Sequence, residues 1–152
     1  MIAETAFETH IARSASTKSG SRLPTVARTF MGLVFFVFGL NGFLNFLPAP
    51  PPGSLPEGAA LLTGAILKSG YMLQLIKGTE LTVGVLLLSN RFVPLALALI
   101  APVVVNIVLY HAFLAPSGLV IALVVLSLEV YLAWTQRSAY RPMLAARGAG
   151  VA

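Results

Sequence analysis

The stretch 92–114, FVPLALALIAPVVVNIVLYHAFL, contains no Asp, Glu, Lys or Arg. A helix crossing bilayer hydrocarbon needs about 20 predominantly apolar residues, and this run supplies them. Lipid offers no partners to backbone N–H and C=O groups, so a chain inside it must satisfy them internally, as helices do. The remaining apolar runs are therefore read in the same way: 30–47, 71–89 and 117–135. Composition agrees. The 152 residues are 57% hydrophobic and 10% charged, with a mean hydropathy of +0.88, whereas soluble domains carry about 25% charged residues. The run 30–47 is longer than the apolar region of about 7–15 residues in a secretory signal and follows a long polar leader, so it reads as a retained span.

The breaks between runs specify the connections. PAPPPGSLPEG, with Pro48, Pro50, Pro51, Pro52 and Pro56, precludes a helix and makes an extended turn. GAALLTGAILKSG is too short to cross; Glu57 before it and Lys68 near its end suit the dipole of a short interfacial helix. Only Asn90 and Arg91 separate the second and third spans, and Ala-Pro-Ser-Gly separates the third from the fourth, which forces antiparallel neighbours. Pro94 suits a first helical turn, while Pro102 kinks the third span. The predicted fold is all-α: a four-transmembrane-helix up-and-down bundle with a short interfacial helix before the second span. Residues 1–27 read as a disordered cytoplasmic tail with a short helix around 3–12, residues 28–136 as the membrane domain and 137–152 as a basic cytoplasmic tail.

Charge supplies the orientation. Arg13, Lys18, Arg22 and Arg28 precede the first run, Arg91 lies between the second and third, and Arg137, Arg141 and Arg147 follow the last. With both termini cytoplasmic, these eight of the ten Lys and Arg lie on one side, as the positive-inside bias requires. Tyr131, Trp134 and Tyr140 then fall at the inner interface and Tyr110 near the outer one. The net charge of +5 is thereby explained without a nucleic-acid partner, and no nucleic-acid-binding motif accompanies it. Cysteine is absent and histidine is limited to His10 and His111. That excludes thiol, iron–sulfur and c-type haem chemistry, bis-histidine haem ligation within one chain, and a histidine-rich metal site.

Polar residues at membrane depth are the candidate site. Glu80 lies at the middle of the second span and Lys77 about 4 Å outward along the helix axis. Their i,i+3 spacing lets them meet on one face, with Gln74 a further turn out. Asn41 and Asn45 in the first span, Asn106 and Tyr110 in the third, and His111 extend a polar band toward the outer leaflet; Glu129 lies slightly inward on the fourth. An ionisable group inside a membrane normally faces the bundle interior and pairs. Lys77, Glu80, Asn41, Asn106 and Gln74 are the principal candidates for handling a ligand or protons, and Asn45, Tyr110, His111 and Glu129 the secondary ones. Each has a plainer reading: inter-helix hydrogen bonding for the asparagines, a structural ion pair for Lys77–Glu80, and a locally satisfied side chain for His111 and Glu129.

The segments ARTFMGLVFFVFGLNGFLNFLP and SGYMLQLIKGTELTVGVLLLSNRFVPLALALIAPVVVNIVLYHAFLAPSG resemble the DoxX and DoxX-like family of small bacterial membrane proteins. The resemblance runs from about residue 27 to 142 and rests on Asn41, Gly70–Tyr71, the Lys77–Glu80 spacing, Arg91-Phe92-Val93-Pro94, and Asn106 with His111. It implies a multi-pass protein of the bacterial cytoplasmic membrane, associated with respiratory or sulfur redox chemistry, as a subunit rather than an independent enzyme. Without cysteine there is no persulfide carrier, and a quinone is the redox ligand compatible with the residues present. One reading is a redox-associated subunit that binds a quinone-like ligand in the polar band, beside a redox partner protein or a second copy of itself. The other is a non-catalytic assembly or small-solute-handling protein. A transporter fits less well, because the polar groups concentrate in one half.

Overall fold

The computed structural model describes residues 22–142; the expected helix around 3–12 and most of the basic C-terminal segment lie outside them. The described residues form helices α1 (Leu23–Leu44), α2 (Glu57–Lys68), α3 (Met72–Leu88), α4 (Val93–Phe113), α5 (Leu119–Thr135) and the single turn α6 (Arg137–Tyr140), with a 3-10 turn, Pro116–Gly118, before α5. No strand occurs among them. Helix α1, helix α4, and α5 with its preceding turn are each long and apolar enough to cross a membrane. Helices α2 and α3 make a fourth such unit, bent by 91° at the break between them.

Helix α1 starts at Leu23, not at the apolar boundary near 30, and residues 23–27 of the expected tail belong to it. Pro24 in its first turn carries no N–H that the helix needs there, and its fixed φ already suits a helix. The same helix stops at Leu44, short of 47. Asn45 adopts the left-handed conformation at φ 48° and donates its backbone N–H to the Asn41 carbonyl, while the Leu47 N–H donates to Asn41 Oδ1 at 2.7 Å. The turn between α3 and α4 uses two further left-handed residues, Asn90 at φ 55° and Phe92 at φ 52°. Asn tolerates that region; a bulky Phe there is a strained choice. At the 91° bend, Gly70 takes φ 79°, and Ser69 Oγ accepts the Met72 N–H at 3.0 Å to start α3.

Four helices close into a ring, α1 beside α3, α3 beside α4, α4 beside α5 and α5 beside α1. The closest contact is antiparallel, between α1 and α3. A methyl placed on Gly39 would collide with the Leu81 backbone, and one on Gly84 with the Phe36 backbone. Small residues at such crossings let backbones approach, which is how helices associate where no hydrophobic force separates protein from solvent. Met31, Phe35, Val83, Leu87, Leu97 and Ile100 fill the interior beside this contact. The outer surface is apolar instead: Phe113 is 78% exposed, Val120 73% and Ile121 72%. Exposed apolar area this contiguous marks a lipid-facing or partner-facing surface.

One end of the ring gathers the basic residues. The Arg28 guanidinium donates to the Leu87 carbonyl, joining the start of α1 to the end of α3 beside Arg91. Tyr140 Oη donates to the Pro94 carbonyl at 2.8 Å, which ties the segment carrying Arg137 and Arg141 to the start of α4.

Candidate functional site

A cavity of about 280 Å³, open on the side of Phe38 and Ile121, receives side chains from all four helices. Its apolar wall comes from Val34, Phe35 and Phe38 of α1 and from Ile107, Ile121 and Val125 opposite. Three polar side chains line it: Lys77, Glu80 and His111. Lys77 Nζ donates to Glu80 Oε2 at 2.8 Å; the glutamate side chain is 6% exposed and the lysine 24%. At that burial the carboxylate needs its partner, because an isolated charge removed from water carries a large desolvation penalty. Helix periodicity brings the two together, since residues three apart share a face. What admits the lysine is Gly42: the Lys77 stem lies against its Cα, in space that any larger residue would occupy.

His111 reaches the cavity from α4. Its Nδ1 lies 2.9 Å from the Ala115 carbonyl oxygen. A carbonyl only accepts, so the hydrogen sits on Nδ1, which leaves Nε2 of the neutral ring as an acceptor. The imidazole rests on Gly118, where a methyl would overlap it, and Tyr110 packs edge-on at 5.2 Å between ring centroids. Gly42 and Gly118 are thus neighbours of the site that the polar pattern of the sequence does not reveal: the first lies within an apolar run and the second in a turn.

The rest of the expected band disperses. Asn41 is half-buried and its Oδ1 closes the end of α1, and Asn45 is the exposed residue that terminates that helix. Asn106 is exposed on α4. Gln74 is also exposed and borders a separate shallow groove on α3 with Gly78, Thr79 and Thr82, across from Leu99 of α4. Neither Asn106 nor Gln74 joins Lys77 and Glu80. Tyr110 supports the histidine ring without lining the cavity.

Glu129 stands elsewhere. It is 6% exposed, its Oε2 has no hydrogen-bond partner, and it lines a second cavity of about 330 Å³ that runs toward the end of α5. Among the described residues no three or more His, Asp or Glu side chains converge as a metal site. Chemically, the first cavity offers an ammonium donor held by a carboxylate, an imidazole acceptor and two aromatic walls in an otherwise apolar space. No family model, curated protein or solved structure matches this chain.

Proposed function

We propose that the chain is a DoxX-like integral membrane protein with four spans and both termini on the cytoplasmic side, acting as a redox-associated subunit that binds a quinone-like ligand between its helices. The carrying observation is the cavity's polar set: Lys77 and His111 face the same apolar space, one a donor and the other an acceptor. A reduced quinone ring has an oxygen at each end. One hydroxyl donates to His111 Nε2 and the opposite oxygen accepts from Lys77, while Phe35 and Phe38 cover the ring faces. Glu80 aims the Lys77 ammonium through their 2.8 Å bond, and His111 Nε2 is the base that takes a proton leaving the ligand. The asparagines of the expected band have no part in this arrangement, so Lys77, Glu80 and His111 carry it.

Four spans are supported by the register of α3 on α1. Contacts run from Gly42 with Lys77 to Gly32 with Leu87, so α3 runs alongside α1 through about 15 Å of its length. Its 17 residues extend about 25 Å at 1.5 Å each, close to the hydrocarbon depth. The basic end joined by Arg28, Arg91 and Tyr140 supports the cytoplasmic placement of both termini.

The test is titration of a short-tailed benzoquinol into the full chain in lipid nanodiscs. Saturable binding that weakens about tenfold in Lys77→Met and in His111→Ala is the expected result, each variant losing a hydrogen bond of about 1–3 kcal/mol. Partitioning into the lipid that is identical in all three proteins would overturn the reading. A second reading, a non-catalytic assembly protein, is favoured by the exposed amides of Asn106 and Gln74, which would bond a neighbouring helix in lipid. Under it, Asn106→Leu should abolish cross-linking between copies or to a partner, with quinol binding absent throughout.

A further inference from the structure

The second cavity lies between α4 and α5, at the end of the ring that carries Arg137 and Tyr140. Its sides are small and apolar: Leu97, Ala98 and Ala101 from α4 and Ala133 from α5. At its deep end sits Glu129, more than nine-tenths buried, with Oε2 unpartnered. Two further oxygens belong to residues of the lining. Pro102 has no N–H to donate to the Ala98 carbonyl one turn earlier. Tyr140 has already committed its hydroxyl hydrogen to the Pro94 carbonyl, so its oxygen retains only lone pairs. The one cation on the lining, Arg137, is exposed. Its guanidinium lies 5.5 Å from the centroid of the Trp134 ring and donates to the Trp134 carbonyl at 3.1 Å, which keeps its charge at the mouth. Helix α4 contributes no titratable side chain to the lining. The cavity is therefore apolar along its sides and bounded at depth by a carboxyl group.

We propose that this cavity is a binding site for a primary ammonium group carried on a small apolar body, with Glu129 as its counter-ion. Its N–H donors answer the Glu129 carboxylate, and the alanine walls take the apolar part. An ammonium paired with a buried carboxylate is satisfied in both charge and hydrogen bonds, the condition under which a membrane-depth charge persists. Apolar cations dissolved in the inner leaflet reach the site from the Arg137–Tyr140 end. The site is independent of the quinol cavity, shares none of its lining residues, and stands or falls separately from that reading.

The experiment uses the full chain in lipid nanodiscs, with dicyclohexylcarbodiimide as a probe that modifies carboxyl groups in apolar surroundings and is read by peptide mass mapping. Saturating n-hexylammonium is expected to slow modification of Glu129 about tenfold, the scale of one charge-assisted hydrogen-bonded contact. Trimethylhexylammonium, equal in charge but without N–H donors, should leave the rate unchanged. In parallel, n-hexylammonium should raise the thermal unfolding midpoint of wild type and of Glu80→Gln, but not of Glu129→Gln. Equal protection by both amines would overturn the proposal, because a general cation or apolar pocket would explain it. Absence of protection by either would also overturn it, leaving a carboxyl satisfied by a proton or a cavity filled by lipid.

Discussion

Two glutamates lie in the interior of these helices, and their surroundings are opposite. Glu80 sits where α1 and α3 are in near backbone contact, its carboxylate 2.8 Å from Lys77 Nζ, with glycines at every close approach. Glu129 borders a cavity of about 330 Å³ between α4 and α5, with one oxygen unpartnered. Equal burial thus goes with unequal completeness: the first carboxylate is paired by its own chain, and the second keeps an oxygen that its own chain leaves unpartnered. A charge at membrane depth that the protein has paired is a fixture that can orient a ligand, whereas an unpaired carboxyl is open to a proton or a ligand. The difference goes with side-chain size at the crossings, glycine on one side and alanine, with Pro102 inside the helix, on the other.

Adding bulk separates the two regions most strongly. Gly84→Leu drives a side chain into the Phe36 backbone and should cost more than about 3 kcal/mol, the upper range for overpacking, read as loss of a monodisperse folded species. Ala101→Val adds volume beside the open cavity and should instead raise the unfolding midpoint, by about 0.5–1 kcal/mol in stability, as cavity filling commonly does. If both substitutions are equally damaging, the contrast between a tight and an open side is wrong.

Removing charge comes next in size. Lys77→Met strands Glu80 without its partner and should destabilise by about 3 kcal/mol, and Lys77→Met with Glu80→Gln together should recover most of that loss. Glu129→Gln breaks no ion pair and keeps the shape, so its effect on the unfolding midpoint should stay within about 0.5 kcal/mol. A large loss in Glu129→Gln would mean that this carboxylate has a structural partner after all.

These variants also show where the sequence was legible. The apolar runs behind α4 and α5 needed only length, and the Lys77–Glu80 bond needed only helix periodicity. Helix ends were less readable: α1 begins at Leu23 because a proline starts it early, and ends at Leu44 because Asn41 and Asn45 close it. The faces of the polar residues were not readable. In a helix as uniformly apolar as α4 there is no polar stripe to set the rotation, so Asn106 could be placed in depth but not in direction; Gln74, read as continuing the Lys77 stripe of α3, turns outward as well. Gly42 and Gly118 carry no chemistry of their own, and only the side chains resting on them reveal their roles.

The smallest expected effect lies at the edge of the second region. Burial, and then the negative charge of Glu129, hold the Tyr140 phenol above its ordinary 10.0. A phenol whose pKa is raised by folding contributes stability that is complete below that ordinary value and is lost as pH rises through the folded one. The wild-type unfolding midpoint should therefore fall more steeply above pH 10.0 than that of Tyr140→Phe. Ultraviolet titration of the phenols should show the slowest-ionising one moving down in Glu129→Gln. No movement would place the carboxylate too far away to act on Tyr140.

The quinol reading requires that α3 cross the membrane with Lys77 and Glu80 in its middle. The chain contains no cysteine, so Ser54→Cys, Asn90→Cys and Ser138→Cys can each be introduced alone and treated with a membrane-impermeant maleimide in sealed right-side-out vesicles. The account predicts labelling at position 54 from outside, and labelling at positions 90 and 138 only after the vesicles are opened. Labelling of positions 54 and 90 from the same side would show that α3 does not cross, and would contradict it.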